Sequence, residues 1–453
     1  MKWISLCRIV AALSLTVPLA FPQNGSPGGH PVRQLSLKEA VQLALSQNRS
    51  LRIARLRVTE NQQQKAGERS AYFPSVTNQS NIIHFTELPE IGIPAGGLGT
   101  VAGVLVPAQN VVVSQGQNTV YSTGTMISQP LTQLIRIHAQ NQIAAAQVSG
   151  SKDDLQKAEN DVALQVHSLY FEVLITGVQK QAALQQTKYA DENLRESEDA
   201  IRSGSALKVA AIKGRAGVLE GRQAVLTADL QLDDLTTELD SLLGLPLDTQ
   251  LELDPNVPAD FDPRPRDEYV QTAWSKTPGI LSAEDSVKKA RAGVVAAKTA
   301  YIPDVTAYAH QSYQDGVPFL LRNFGEFGLH MNWDVFDFGK RRSQVRVREA
   351  QLAQAEENLR RMKDDVATAI ERTYNKLART KNMVVVANQV VELRKESERL
   401  AQNQVVQGEA LSSSRSEATA ASYKAQADYL RARLGYLLAW AELQQQSGIT
   451  PGL

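Results

Sequence analysis

Apolar and polar positions along most of this chain follow a helical period, broken twice by stretches with the period of a strand. Leu37, Ala40, Val41, Ala44 and Leu45 recur at three- and four-residue spacing. Ser36 before them and Glu39 three residues later form a capping-box signature, so a helix is expected from there to about Ala71. Residues 74–128 then turn rich in Ser, Thr, Asn, Val, Ile and Gly with few charges, which predicts strands around a loop punctuated by Gly and Pro over 92–116. Helical spacing returns over 134–203, through Val148, Leu155, Val162, Val166, Leu169, Leu174 and Val178. A helix of that size would reach roughly 100 Å, far beyond the usual ~10–14 residues of a globular one. Ser203-Gly204-Ser205 breaks it, a return helix is expected over 207–243, and Gly244-Leu245-Pro246 ends that. After a Pro/Asp-rich connector at 254–265 the programme repeats: helix 267–300, strands, helix 339–407, a break at Gly408, helix 411–446, and Gly448.

The repetition holds in register. Ala71-Tyr72-Phe73-Pro74 and Ala300-Tyr301-Ile302-Pro303 lie 229 positions apart, and each runs a helix into a proline that cannot continue it. Beyond the strands, Tyr170/Tyr374, Gly204/Gly408 and Gly244/Gly448 all differ by 204, so the first strand region carries a net insertion of 25 residues. The expected units are 1–23, a signal segment; 24–35, a flexible leader; 36–73, a helix; 74–133, a β-hairpin with a long loop; and 134–244, a helical hairpin. A connector at 245–266, a helix at 267–302, a second β-hairpin at 303–338, a second helical hairpin at 339–448 and a tail at 449–453 complete the chain.

The second strand region sets the environment. From Phe327 to Val335, apolar Phe327, Leu329, Met331 and Trp333 alternate with small or polar residues, and the expected partner strand is 304–314. Strands of that length cross a bilayer when tilted, with the apolar side toward lipid and His330, Asn332 and Asp334 toward a wet lumen. Two hairpins give about four strands, which cannot close a barrel, and open sheet edges do not exist in lipid. Several chains would therefore share one barrel, and three would give an even twelve strands.

Composition supports long helices: the chain has 453 residues, only 6% aromatic. Forty-eight basic residues balance forty-eight acidic ones, so charge gives no reason to expect a nucleic-acid partner. Lys2 and Arg8 before the apolar run at 9–20 read as a secretory signal, with cleavage expected within 20–26, and the one cysteine, Cys7, would leave with it. The six histidines are scattered without ligand spacing, no cofactor or metal is expected, and no nucleophile, zincin or Walker motif is present. Gly97-Leu98-Gly99-Thr100-Val101-Ala102 has the spacing of a dinucleotide fingerprint, but no strand–helix unit surrounds it, and a loop is the reading.

The duplicated programme, with Tyr72-Phe73-Pro74 and Tyr301-Ile302-Pro303 at the seams, Gly204 and Gly408 at the turns, and Asp337-Phe338-Gly339-Lys340 where strand returns to helix, resembles the outer membrane efflux protein family typified by TolC. The resemblance implies a mainly α fold with membrane β structure: a homotrimeric twelve-stranded barrel in outer-membrane lipid, continuous with a periplasmic α-helical barrel. It further implies a Gram-negative outer membrane, an inner-membrane pump (RND, ABC or MFS) and a periplasmic adaptor (membrane fusion) protein as partners, and no catalytic residues. Ala206, Leu207, Ala410 and Leu411 beside the tip glycines would meet the adaptor or pack within their hairpins. Of the two acidic tip positions in the typical member, this chain has Ser414 and Glu417; a constriction around Glu417, paired with Lys213, stands against a solvated surface reading. The alternative function is a periplasmic coiled-coil adaptor or scaffold.

Overall fold

The computed structural model describes residues 33–451 except 89, 115, 248, 259, 260, 262, 318 and 319. The expected signal segment and residues 24–32 of the leader lie outside the described residues. The leader's last residues form a strand: β1 (Arg33–Leu35) pairs in parallel with β8 (Leu251–Leu253) of the connector.

Two expected helices are each broken once. The first is α1 (Leu37–Gln47) and α2 (Arg49–Ser70), separated by Asn48, whose Oδ1 accepts the Ser50 and Leu51 amides. Its copy is α5 (Arg266–Lys276) and α6 (Pro278–Lys298), separated by Thr277 with Pro278 at the first helical position. Asn48 and Thr277 keep the 229 offset, so the break belongs to the repeat. At Ser36 the capping box forms: the Ser36 hydroxyl accepts the Glu39 amide while Glu39 accepts the Ser36 amide at 3.0 Å.

The remaining elements are β2 (Ser75–His84), β3 (Glu90–Ile93), β4 (Thr100–Val101), β5 (Val104–Leu105), β6 (Val111–Ser114), β7 (Thr119–Pro130), α3 (Leu134–Arg202), α4 (Lys208–Leu243), β9 (Asp304–Asp315), β10 (Asn323–Asn332), α7 (Lys340–Val406) and α8 (Ser412–Gln446). β3 pairs with β6 and β4 with β5, so the 97–102 stretch lies in the arm between β2 and β7. Trp333, Asp334 and Val335 fall past the end of β10, so the alternation expected to continue to Val335 stops at Asn332.

The buried core lies midway along the helices and is itself duplicated. Ala40, Ala44, Leu51, Val162, Val166 and Leu239 fill the first half; Tyr269, Ala273, Ile280, Val366, Ile370 and Leu443 fill the second, position for position at the two offsets. Tyr170, fully buried, sets its hydroxyl 2.8 Å from the Leu35 carbonyl and 3.0 Å from that of Asp254, tying β1 and β8 to α3.

Every layer is an open wall of four elements. The sheet runs β10-β9-β7-β2, all antiparallel. Below it the helices pack in the order α2-α3-α6-α7, and toward the far end in the order α4-α3-α8-α7. Thus α3 and α7, of 69 and 67 residues, run the full length of the wall.

Candidate functional site

The pleat gives the sheet two chemically different faces. Phe327, Leu329 and Met331 of β10 share a face with Ala309, Ala307 and Val305 of β9, and across β7 with Ile127 and, on β2, Val76. Phe327 is 89% exposed, and Leu329 and Met331 are exposed beside it. The polar residues on this face satisfy one another: Asn78 Nδ2 donates to Thr125 Oγ1 at 2.9 Å, and Ser80 and Thr123 hydroxyls lie 2.8 Å apart. Such internal pairing is what a face without water requires. The opposite face carries Asp304, Thr306, His310, Glu326, His330 and Asn332, with His310 Nδ1 3.4 Å from Glu326. Among the described residues no helix is long and apolar enough to cross a membrane.

The seams between helix and sheet are locked across the repeat. Thr132 Oγ1 donates to the Pro303 carbonyl at 2.7 Å and accepts the Val305 amide at 2.8 Å. The Tyr72 hydroxyl lies 3.2 Å from His138 Nδ1, and the Tyr72 carbonyl accepts from Gln129. Phe73, Tyr301 and Ile302 stay exposed, Tyr301 beneath the Arg341 guanidinium at 5.3 Å. Where β10 returns to helix, Phe338 (φ 51°) and Gly339 (φ 87°) both adopt left-handed backbone. Asp337 accepts the Arg341 backbone amide and guanidinium, which holds its carboxyl below the usual range. Exposed Trp333, Val335, Phe336 and Phe338 sit here, an interfacial belt in composition.

At the far end the two hairpins turn identically. Gly204 (φ 77°) and Gly408 (φ 76°) close α3 and α7. Ser205 and Glu409 amides bond back to the Ala200 and Gln404 carbonyls at 2.8 and 2.9 Å. Leu207 and Leu411 stand in extended backbone at the N-caps of α4 and α8, both strongly exposed, with Ala206 and Ala410 half-buried beside them. Neither leucine can cap its helix. The α8 terminus is instead served by α3: Glu196 accepts the Ser413 amide at 2.8 Å, Glu192 accepts the Ser416 hydroxyl, and Arg415 lies 4.0 Å from Glu192. Sequence reasoning missed Glu192 and Glu196. Their partners lie more than 200 positions away, and the local signal was only a four-residue spacing and an uncapped α8.

Ser414 and Glu417 are exposed on α8, and Lys213 is exposed on α4. The structure does not bring Lys213 and Glu417 together within one chain, because α3 packs between α4 and α8. Glu417 instead neighbours Tyr189, whose phenol is pushed up first by burial and then by Glu417 and Glu196. Among the described residues no group of three His, Cys, Asp or Glu could hold a metal ion.

The sequence matches the family described as Outer membrane efflux protein over residues 97–245 and 269–448. No curated protein matches. Several solved structures share the fold across nearly the whole chain. The outer membrane channel CmeC of Campylobacter jejuni is 15% identical with a TM-score of 0.71, covering 91% of this chain and 85% of its own. The open-state MtrE outer membrane channel of Neisseria gonorrhoeae is 18% identical with a TM-score of 0.67, covering 91% and 89%. The outer membrane protein VceC of Vibrio cholerae is 14% identical with a TM-score of 0.69, covering 91% and 96%.

Proposed function

The chain belongs to the outer membrane efflux protein family, and from that premise we propose that it is the exit duct of a tripartite efflux or type I secretion system. It lies in the outer membrane with a large helical periplasmic part. In the proposed assembly three copies close a twelve-stranded barrel and a twelve-helix tunnel. An adaptor docks at the tips around Ala206, Leu207, Ala410 and Leu411, and an inner-membrane pump supplies the energy. The duct itself is a passive conduit with no catalysis of its own.

One observation carries this reading: the wall has two free edges, and they match. On α4, Val209, Ile212, Ala216, Leu219, Leu226 and Leu230 form a heptad stripe, exposed throughout. On α7, Met383, Val386, Val390, Leu393 and Leu400 form another, exposed as well. The stripes begin five and eight residues from their tip glycines, Val209 from Gly204 and Leu400 from Gly408, so the two stand at nearly the same height on opposite edges. An apolar heptad seam seeks a partner helix. In the sheet, β2 and β10 are likewise the unpaired edges and run in opposite directions, so joining β10 of one copy to β2 of the next keeps every pair antiparallel. Rotational closure satisfies all these edges at once.

Leu219 and Leu393 each lie fifteen residues from their tip glycines. Oxidising a Leu219→Cys/Leu393→Cys protein from outer-membrane fractions is expected to give covalent species that stop at the trimer. A ladder running past the trimer, or none at all, would overturn the closed ring. The tip reading has its own check. Ser414 and Glu417 are proposed to narrow the mouth, so a Glu417→Ala channel with unchanged conductance and cation preference would remove them from it.

A further inference from the structure

Just below the sheet, α6 is recessed between α3 and α7 and leaves a groove of about 960 Å³. Its floor is the small-residue face of α6, including Ala290, Gly293 and Ala297, and Arg348 lies over Gly293 with its Cδ 3.9 Å from where a Cβ would stand. Lys289, Lys340, Arg348 and Arg136 rim it.

The groove lies on the polar face of the wall. Arg136 reaches Asp304 at 3.6 Å, and Asp304 shares its side of β9 with His310. The adjoining hollow, which shares Arg136, is bounded by Ser75 and Pro130, whose alternation places them on that same side. In the closed ring this is the lumen.

The charges here are left over, while those on the other side of α6 are matched. Glu284, Arg291 and Lys298, seven residues apart on the opposite face, pair with Lys363, Glu356 and Glu349 of α7 at 3.7, 3.6 and 3.6 Å. Among the described residues Lys289, Lys340 and Arg348 have no acidic partner. Lys289 Nζ donates to Gln147 at 2.7 Å and Arg348 to Gln351 at 3.0 Å, both neutral groups. Glu68, on the neighbouring hollow, and Asp304 are the bordering acids.

We propose that each protomer carries a luminal subsite in which Lys289, Lys340 and Arg348, spaced along the groove, hold an organic anion through its sulfonate, carboxylate or phosphate groups, while its apolar body lies on the alanine floor of α6. The chemistry is that of a cationic fork over an apolar surface. Three copies make a basic collar at the entrance to the barrel, which concentrates anions in a narrow passage with low-dielectric walls. The luminal placement rests on the exit-duct reading; the groove itself does not.

The test uses 1,5-naphthalenedisulfonate and the full chain in detergent, by isothermal titration calorimetry. The native protein is expected to bind it, and Lys289→Gln/Lys340→Gln/Arg348→Gln to bind about tenfold or more weakly, three partly screened contacts being removed. Arg291→Gln/Lys298→Gln, on the opposite face, is expected to bind as the native protein does. No native binding, equal binding by the triple variant, or equal loss in the opposite-face variant would each overturn the subsite. In planar bilayers the triple variant is expected to lose about threefold in chloride-over-potassium permeability. Absence of any conductance would overturn the exit duct, with the calorimetry still deciding the groove.

Discussion

Gly408 and Gly448 share one backbone conformation, φ 76° and 79°, in different surroundings. An alanine Cβ at Gly408 would meet nothing within 4 Å; at Gly448 it would stand 2.5 Å from the Lys276 carbonyl carbon and 2.7 Å from the Thr277 nitrogen. Gly408→Ala therefore incurs only the left-handed strain of an L-residue, about 1–2 kcal/mol. Gly448→Ala adds overpacking of about 1–3 kcal/mol against backbone that cannot rotate away. The total there is about 2–5 kcal/mol. Hydrogen exchange read by mass spectrometry on the detergent-solubilised protein separates the two, since each 1.4 kcal/mol of local opening is about tenfold in rate. Gly408→Ala is expected to speed exchange at 405–412 by about five- to thirtyfold and leave 273–280 unchanged. Gly448→Ala is expected to speed exchange at 273–280 by about thirtyfold or more. Equal effects at the two sites would refute the reasoning, because φ alone would then account for both. Gly244, whose Cβ would lie 3.1 Å from Gln47, is expected to fall between them.

Tyr170→Phe removes a hydroxyl shared by the Leu35 and Asp254 carbonyls. About 1–2 kcal/mol of local stability is expected to go with it, seen as five- to thirtyfold faster exchange at 33–35 and 251–253, with Tyr374→Phe leaving those amides unchanged. Leu239→Ala and Leu443→Ala, both with no exposed surface, are expected to cost a similar ~2–5 kcal/mol; a large cost in one half alone, read as heat-inactivation rates, would contradict the twin cores. Burial lowers His167 to about 4, so the folded chain holds it neutral where the unfolded chain takes a proton. Its share of stability is full above about pH 6.5 and falls by about 3 kcal/mol as pH drops to 4. Asp153, raised to about 6 by burial and then by Asp285, acts oppositely, gaining on acidification between 6 and 3.8. His167→Leu is expected to show a shallower loss of thermal stability from pH 6.5 to 4.5, and an unchanged slope would rule His167 out.

Much of the architecture was legible in the chain because a repeat reports tertiary structure through sequence register. The 229 and 204 offsets, found from Tyr-Pro seams and tip glycines, also pair Leu51 with Ile280 and Val166 with Ile370 in the two cores. The break at Asn48 escaped notice since an asparagine inside a long helical pattern is ambiguous; Pro278, in the copy, was the readable signal. The tip was half legible. A positive φ favours glycine whatever surrounds it, so Gly204 and Gly408 announced their turns. Glu192 and Glu196 did not, because a carboxylate capping another helix leaves only a four-residue spacing that any helix surface shares.

The sequence by itself determined the elements: where helices start and stop, which strand face is apolar, and that everything happens twice, since capping, proline sterics and side-chain period act within a few residues. Only the tertiary structure decided their neighbours. That β7 lies beside β9, that α3 separates Lys213 from Glu417, and that Arg348 lies over Gly293 of α6 are relations between residues tens to hundreds of positions apart. Such contacts are chosen by which faces remain to be covered once each element has formed, and that choice is made by the whole chain together.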